Sequence, residues 1–118
     1  MSATLYGLNN CDTCRKARRW LERFELPFTF VDYRADPADG ETLKRWAAAA
    51  GGWEALVNKS STTWRGLLPQ RKQPGSDAEW VLLIREHPAL VRRPVVELED
   101  GSISFGFSDN GFKARFGQ

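Results

Sequence analysis

Apolar and polar positions change period several times along the chain, and each change predicts an element. Ala3-Thr4-Leu5-Tyr6 is short, partly β-branched and closed by Gly7, which predicts a strand. Ala17, Trp20, Leu21 and Phe24 then recur at helical spacing, one apolar stripe of a helix. The polar stretch Asn9-Asn10-Cys11-Asp12-Thr13 ahead of it supplies capping candidates, and Pro27 is expected to end it. Phe28-Thr29-Phe30-Val31-Asp32-Tyr33 mixes aromatic and β-branched residues and predicts a second strand. The opening is therefore β-α-β, whose crossover connection favours a parallel strand pair.

From about 37 to 91 the pattern is mainly helical. Leu43, Trp46, Ala47 and Ala50 form one stripe that stops at Gly51-Gly52, and Trp53 to Val57 extend the block by a turn or two. Gln70 to Ser76, with Pro74 and Gly75, reads as a surface loop. Asp77 is expected to cap a helix that carries Trp80, Leu83 and Ile84 and ends by Pro88. Strand periodicity returns at Pro94-Val95-Val96-Glu97-Leu98. Asp100-Gly101 marks a hairpin, and Ile103, Phe105 and Phe107 alternate on the returning strand. Ser108 or Asp109 can cap a final helix holding Phe112 and Phe116. The order β-α-β, helical insert, β-β-α predicts an α/β fold with a mixed sheet.

Composition narrows the classes. At 118 residues the chain is expected to be one domain, 1–118, with the insert inside it. A net charge of +2 is too near neutral to mark a nucleic-acid binder. No apolar run nears the roughly 20 residues of a membrane span, and Arg15 and Lys16 come too early for a secretory signal. The expected location is the cytoplasm. One His and two Cys cannot close a four-ligand zinc site, so no metal is expected.

The two cysteines, Cys11 and Cys14, stand within one helical turn. On a helical wheel Cys14 shares the side of Ala17, Leu21 and Phe24, whereas Cys11 sits at the helix mouth on the opposite flank. One thiol should be accessible and the other tucked under the helix. A helix N-terminus favours a thiolate; Arg15 and Lys16 add to that field and Asp12 opposes it. Lowering a thiol from about 8.5 to about 6.5 raises its ionised fraction at neutral pH roughly twentyfold. A C-x-x-C opening a helix after a strand is the layout of thiol–disulfide exchange, with inert buried thiols and metal binding as the other readings of the same pair. Most other cations of the first helix read as a solvated face, with Arg18 in reach of Glu22. The tryptophans read as core, except Trp64 on an irregular stretch beside Thr62 and Thr63, a candidate cleft residue. His87, at a helix end before Pro88, suits the helix dipole better than catalysis.

Tyr6-Gly7-Leu8-Asn9-Asn10-Cys11-Asp12-Thr13-Cys14-Arg15-Lys16-Ala17 resembles the active-site opening of the arsenate reductase (ArsC) family. Gly52 to Asn58, Thr62 to Arg65, His87 to Val96 and Gly106 to Asp109 are similar to its YffB branch, and Cys14 is a point of similarity to its Spx branch. The resemblance spans essentially the whole chain and implies a thioredoxin-like fold. It implies that Cys11 is the nucleophile, that Cys14 or glutathione resolves the intermediate, and that Pro94 is cis and faces the cysteine. Asn10, Asp12, Thr13, Arg15, Arg65, Arg93 and Pro94 are the expected substrate or glutathione contacts. Arg93 matches one of the arginines around the oxyanion of arsenate reductases, whereas Asn58 and Gly106 stand where two others are expected. Three guanidinium donors suit a highly charged anion and one does not. The YffB resemblance implies a glutathione-dependent thiol reductase, with no bound cofactor and glutathione as co-substrate. An Spx-like regulator that binds the RNA polymerase α subunit, or a true arsenate reductase, is the alternative.

Overall fold

The computed structural model describes residues 2–118. Its contacts divide the chain into two compact units, one of residues up to Asp32 with Arg93–Gln118, the other Tyr33–Arg92.

The first unit is a four-stranded sheet with two helices. β1 (Ala3–Gly7) and β2 (Phe28–Asp32) run parallel across α1 (Asp12–Arg23). β3 (Val95–Leu98) runs antiparallel to β1, and β4 (Ile103–Phe105) antiparallel to β3, giving the order β2-β1-β3-β4. The register places Leu5 between Phe30 and Val96, and Ala3 between Phe28 and Leu98. Strand side chains alternate with period two, so these residues share one face. Ala17, Trp20 and Leu21 of α1 and Phe112 of α6 (Asp109–Phe116) pack with Ala3, Leu5, Val96 and Leu98 as one core. Trp20 meets Phe112 edge-on at 5.4 Å, and its indole N–H donates to Asp109 Oδ1 at 2.8 Å, which satisfies the ring's polar end.

Helix α1 ends before Pro27, and for a different reason than the proline. Glu25 takes a left-handed φ of 55°, and the Leu26 N–H donates back to Leu21 O at 2.9 Å, so the last carbonyls are satisfied by the reversal itself. Strand β4 is also shorter than its alternation suggests. Gly106 adopts φ 81° immediately after it, and Phe107 turns onto Phe112 with ring centroids 4.7 Å apart. Strand β3 starts at Val95, since Pro94 has no N–H to give the ladder. Of the two capping candidates for α6, Ser108 is the cap, accepting from Gly111 N at 3.0 Å.

The second unit holds α2 (Gly40–Ala50), the short α3 (Trp53–Leu56) and α4 (Thr62–Arg65), and α5 (Asp77–Glu86). Leu43, Trp46 and Ala47 are buried, and Gly51 closes α2 at φ 100°, a conformation that favours glycine. The cap of α5 is Ser76 rather than Asp77, because its hydroxyl accepts from Glu79 N at 3.2 Å; Asp77 lies inside the first turn, where its charge suits the dipole. The segment expected as loop begins with a 3-10 turn, Pro69–Lys72. Trp64 does not lie on irregular chain. It is on α4, capped by Ser61, and is buried with its ring 6.3 Å from Trp80 and nearly parallel to it. No described helix is long and apolar enough to cross a membrane.

Candidate active site

The site grows from the loop between β1 and α1. Leu8 is buried and anchors this loop; its carbonyl accepts from Cys11 N at 3.3 Å, and Asn9 N donates to Asp32 Oδ2 at 3.0 Å on the neighbouring strand. These bonds set Cys11 at the N-cap of α1 with extended backbone angles, φ −104° and ψ 123°. Its thiol closes no capping hydrogen bond, which leaves the sulfur available at the helix mouth. Cys11 is half-buried and Cys14 fully buried, and both are free thiols.

Gly7 is the residue that makes room for this pair. A Cβ built there would run into Cys14 Sγ, so the last position of β1 must lack a side chain for α1 to bring Cys14 against the sheet. By its place in the sequence Gly7 is only the end of a strand. Its φ is not in the left-handed region, so close approach rather than backbone freedom is what the position requires.

The electrostatics separate the two thiols. Burial raises the Cys11 pKa, but the Cys14 backbone N–H, the Cys14 thiol and the hydrogen-bonding and charge of Arg93 outweigh it, leaving Cys11 below its ordinary value of 9.0. Cys14 is pushed up to about 11, first by burial and then by the negative charge on Cys11, with the Leu8 backbone opposing. The site therefore holds one favoured thiolate and one retained proton. That proton can be shared from Cys14 to Cys11, a charge-assisted bond that strengthens only when Cys11 ionises.

The cation beside Cys11 is Arg93, brought by the chain that enters β3. Arg93 is half-buried, its bond to Pro94 is cis, and Pro94 is itself buried. The Pro94 carbonyl accepts from Gly106 N at 2.9 Å, which fixes this wall against the end of β4. Arg15, one turn along from Cys11, instead pairs with Asp12, so the two charges of the first turn answer each other. Asn10 and Asp12 are exposed around the mouth and Thr13 is half-buried. Arg65 is exposed at the end of α4 and belongs to the other unit. Asn58 also lies there, its side chain accepting from Ser60 N at 3.0 Å. Among the described residues no group of three or more His, Cys, Asp or Glu is arranged to hold a metal.

The ArsC family model covers residues 6–114. The chain belongs to the ArsC family. A Haemophilus influenzae protein of unassigned function is 39% identical over 113 residues, 96% of this chain and 97% of that one. The solved structure of a YffB protein superposes with a TM-score of 0.84 at 37% identity, covering 95% of this chain and 96% of its own. The global transcriptional regulator Spx of Bacillus subtilis is 29% identical over 109 residues, 91% of this chain and 81% of Spx. These likenesses set the chain in the YffB/Spx branch of the ArsC family, with the mixed-sheet, thioredoxin-like fold. ArsC-family membership supports thiol-based redox chemistry, and the thiols available to it are Cys11 and Cys14.

Proposed function

We propose that the protein is a cytoplasmic, glutathione-dependent thiol reductase with Cys11 as its nucleophile. The observation that carries this reading is the Cys11 thiol at the mouth of α1, favoured as thiolate by Cys14 and Arg93. The thiolate attacks one sulfur of a glutathionylated substrate. A bond forms between Cys11 and the glutathione sulfur, the substrate disulfide breaks, and the leaving thiolate takes up a proton. A second glutathione thiolate then attacks the glutathione sulfur held on Cys11, releasing oxidised glutathione and restoring the Cys11 thiolate. Asn10, Asp12, Thr13 and Arg15 are assigned to substrate or glutathione contacts, and Arg93 with Pro94 to the facing wall.

Glutathione is favoured over Cys14 as the resolving thiol. Cys14 is fully buried and keeps its proton to about 11, so it is a poor nucleophile at neutral pH. Turnover of 2-hydroxyethyl disulfide with glutathione, glutathione reductase and NADPH tests this. Activity should vanish in Cys11→Ser and persist in Cys14→Ser; activity independent of Cys11 refutes it.

A second reading rests on the Spx likeness together with the two cysteines in one turn. In it the pair is a redox switch that governs binding to the RNA polymerase α subunit. Mild oxidation that yields only an internal Cys11–Cys14 bond even with glutathione present, with α subunit recovered on a protein column, would favour the switch. Arsenate reduction is the least supported activity: Arg93 is the single guanidinium assigned at Cys11, and Gly106 holds a left-handed φ of 81° that disfavours an arginine.

A further inference from the structure

Helix α1 carries a second feature that the thiol chemistry does not use. A cleft of about 340 Å³ runs along its outer side, lined by Lys16, Arg19, Trp20, Arg23, Phe107 and Asp109. Its floor is the half-buried Phe107 with the small exposed edge of Trp20, and its rim is cationic. Of the helix's other cations, Arg15 is held by Asp12, and Arg18 lies over the Phe30 ring at 4.3 Å rather than on Glu22. Asp109 is already engaged: it accepts from Trp20, lies 3.1 Å from Lys113 Nζ and 3.8 Å from Arg23, and its carboxyl is held below the usual range by those bonds to Lys113 and Trp20. Among the described residues Lys16 and Arg19 have no such counter-charge, and both are exposed.

We propose that this face is a docking surface for an acidic polypeptide segment that rests one aromatic side chain on the half-buried Phe107, beside the small exposed edge of Trp20, and its carboxylates on Lys16, Arg19 and Arg23. The spacing argues for a polypeptide. From 16 to 23 the helix rises about 10 Å, more than one phosphate spans. Carboxylates on alternate residues of an extended chain, about 7 Å apart, reach successive cations. The aromatic floor argues for an anchor, since interfaces concentrate their energy on a desolvated aromatic residue ringed by polar contacts.

The probe is a blocked heptapeptide, Asp-Glu-Asp-Phe-Glu-Asp-Glu, titrated into the full chain and followed by amide NMR shifts and calorimetry. Shifts are expected on residues 16–23 and Phe107, with affinity falling about tenfold as salt is raised to physiological strength. Replacing the peptide's Phe by Ala should weaken binding about tenfold, and Lys16→Ala with Arg19→Ala should weaken it about fivefold or more. Both variant sites are exposed, and an otherwise unchanged amide spectrum verifies the fold. The proposal is overturned if the shifts map elsewhere, or if the double variant binds equally well. It is also overturned if phenyl phosphate or anionic phospholipid vesicles perturb these amides while the peptide does not.

Discussion

Arg93 and Gly7 do most at the scale of single residues, one by charge and one by having no side chain. Arg93→Ala removes the cation beside Cys11 while leaving the Cys14 contacts, so the Cys11 pKa should rise toward its ordinary value. Each unit of rise lowers the thiolate fraction about tenfold on the acid side, so iodoacetamide alkylation at pH 7 should slow several-fold. Gly7→Ala forces a methyl against Cys14 Sγ and should cost about 1–3 kcal/mol in denaturant unfolding. Much of that loss should return in Gly7→Ala with Cys14→Ala, because the second change removes the clashing sulfur. If the double variant is as unstable as the sum of the singles, the contact is not the cause. Sequence spacing was enough to separate the faces of Cys11 and Cys14, because both sit on one helix whose geometry is known in advance. Spacing also put Arg15 and Lys16 in the field of the helix mouth, because near neighbours are visible along a chain. Asp12 claims the Arg15 side chain, and the cation at Cys11 is Arg93, which the family resemblance names.

Among the elements, α6 shows how a short helix depends on its cap and its dock. It has only eight residues, below the length at which an isolated helix is stable in water. Ser108 satisfies its first-turn N–H, and Phe112 and Phe116 pack on Trp20. Ser108→Ala should destabilise by about 1 kcal/mol, read as a lower urea midpoint with unchanged slope. Ser108→Asp should restore most of it, since aspartate caps equally well. The caps and stops that sequence reading placed correctly were those made by local chemistry, such as Gly51 after α2. The end of α1 was misplaced because Glu25 takes φ 55°, a choice made by the hydrogen bond to Leu21 and not by any glycine or proline.

At the scale of the whole molecule, the retained Cys14 proton ties stability to alkaline pH. In the unfolded chain this thiol ionises near 9.0, whereas in the folded chain it holds its proton to about 11. Between those values the unfolded state binds fewer protons, so stability is full below pH 9 and falls as pH rises toward 11. Urea midpoints measured across pH 8–11 should show that fall. In Cys14→Ala it should be smaller; an unchanged slope would place its origin elsewhere.

Element order, the helical character of the middle of the chain, the unequal faces of the two cysteines and the ArsC resemblance were all written in residue type and spacing. They depend on interactions among near neighbours and on the geometry of single elements, which sequence carries directly. The cis bond at Pro94 and an arginine at position 93 near the cysteine were implied by the family resemblance. The hydrogen bond and charge that Arg93 brings to Cys11, the space that Gly7 leaves for Cys14 and the cleft beside Trp20 and Phe107 came from the tertiary fold. Each joins residues distant along the chain, and such pairs are selected by strand register and core packing rather than by any preference of the residues themselves.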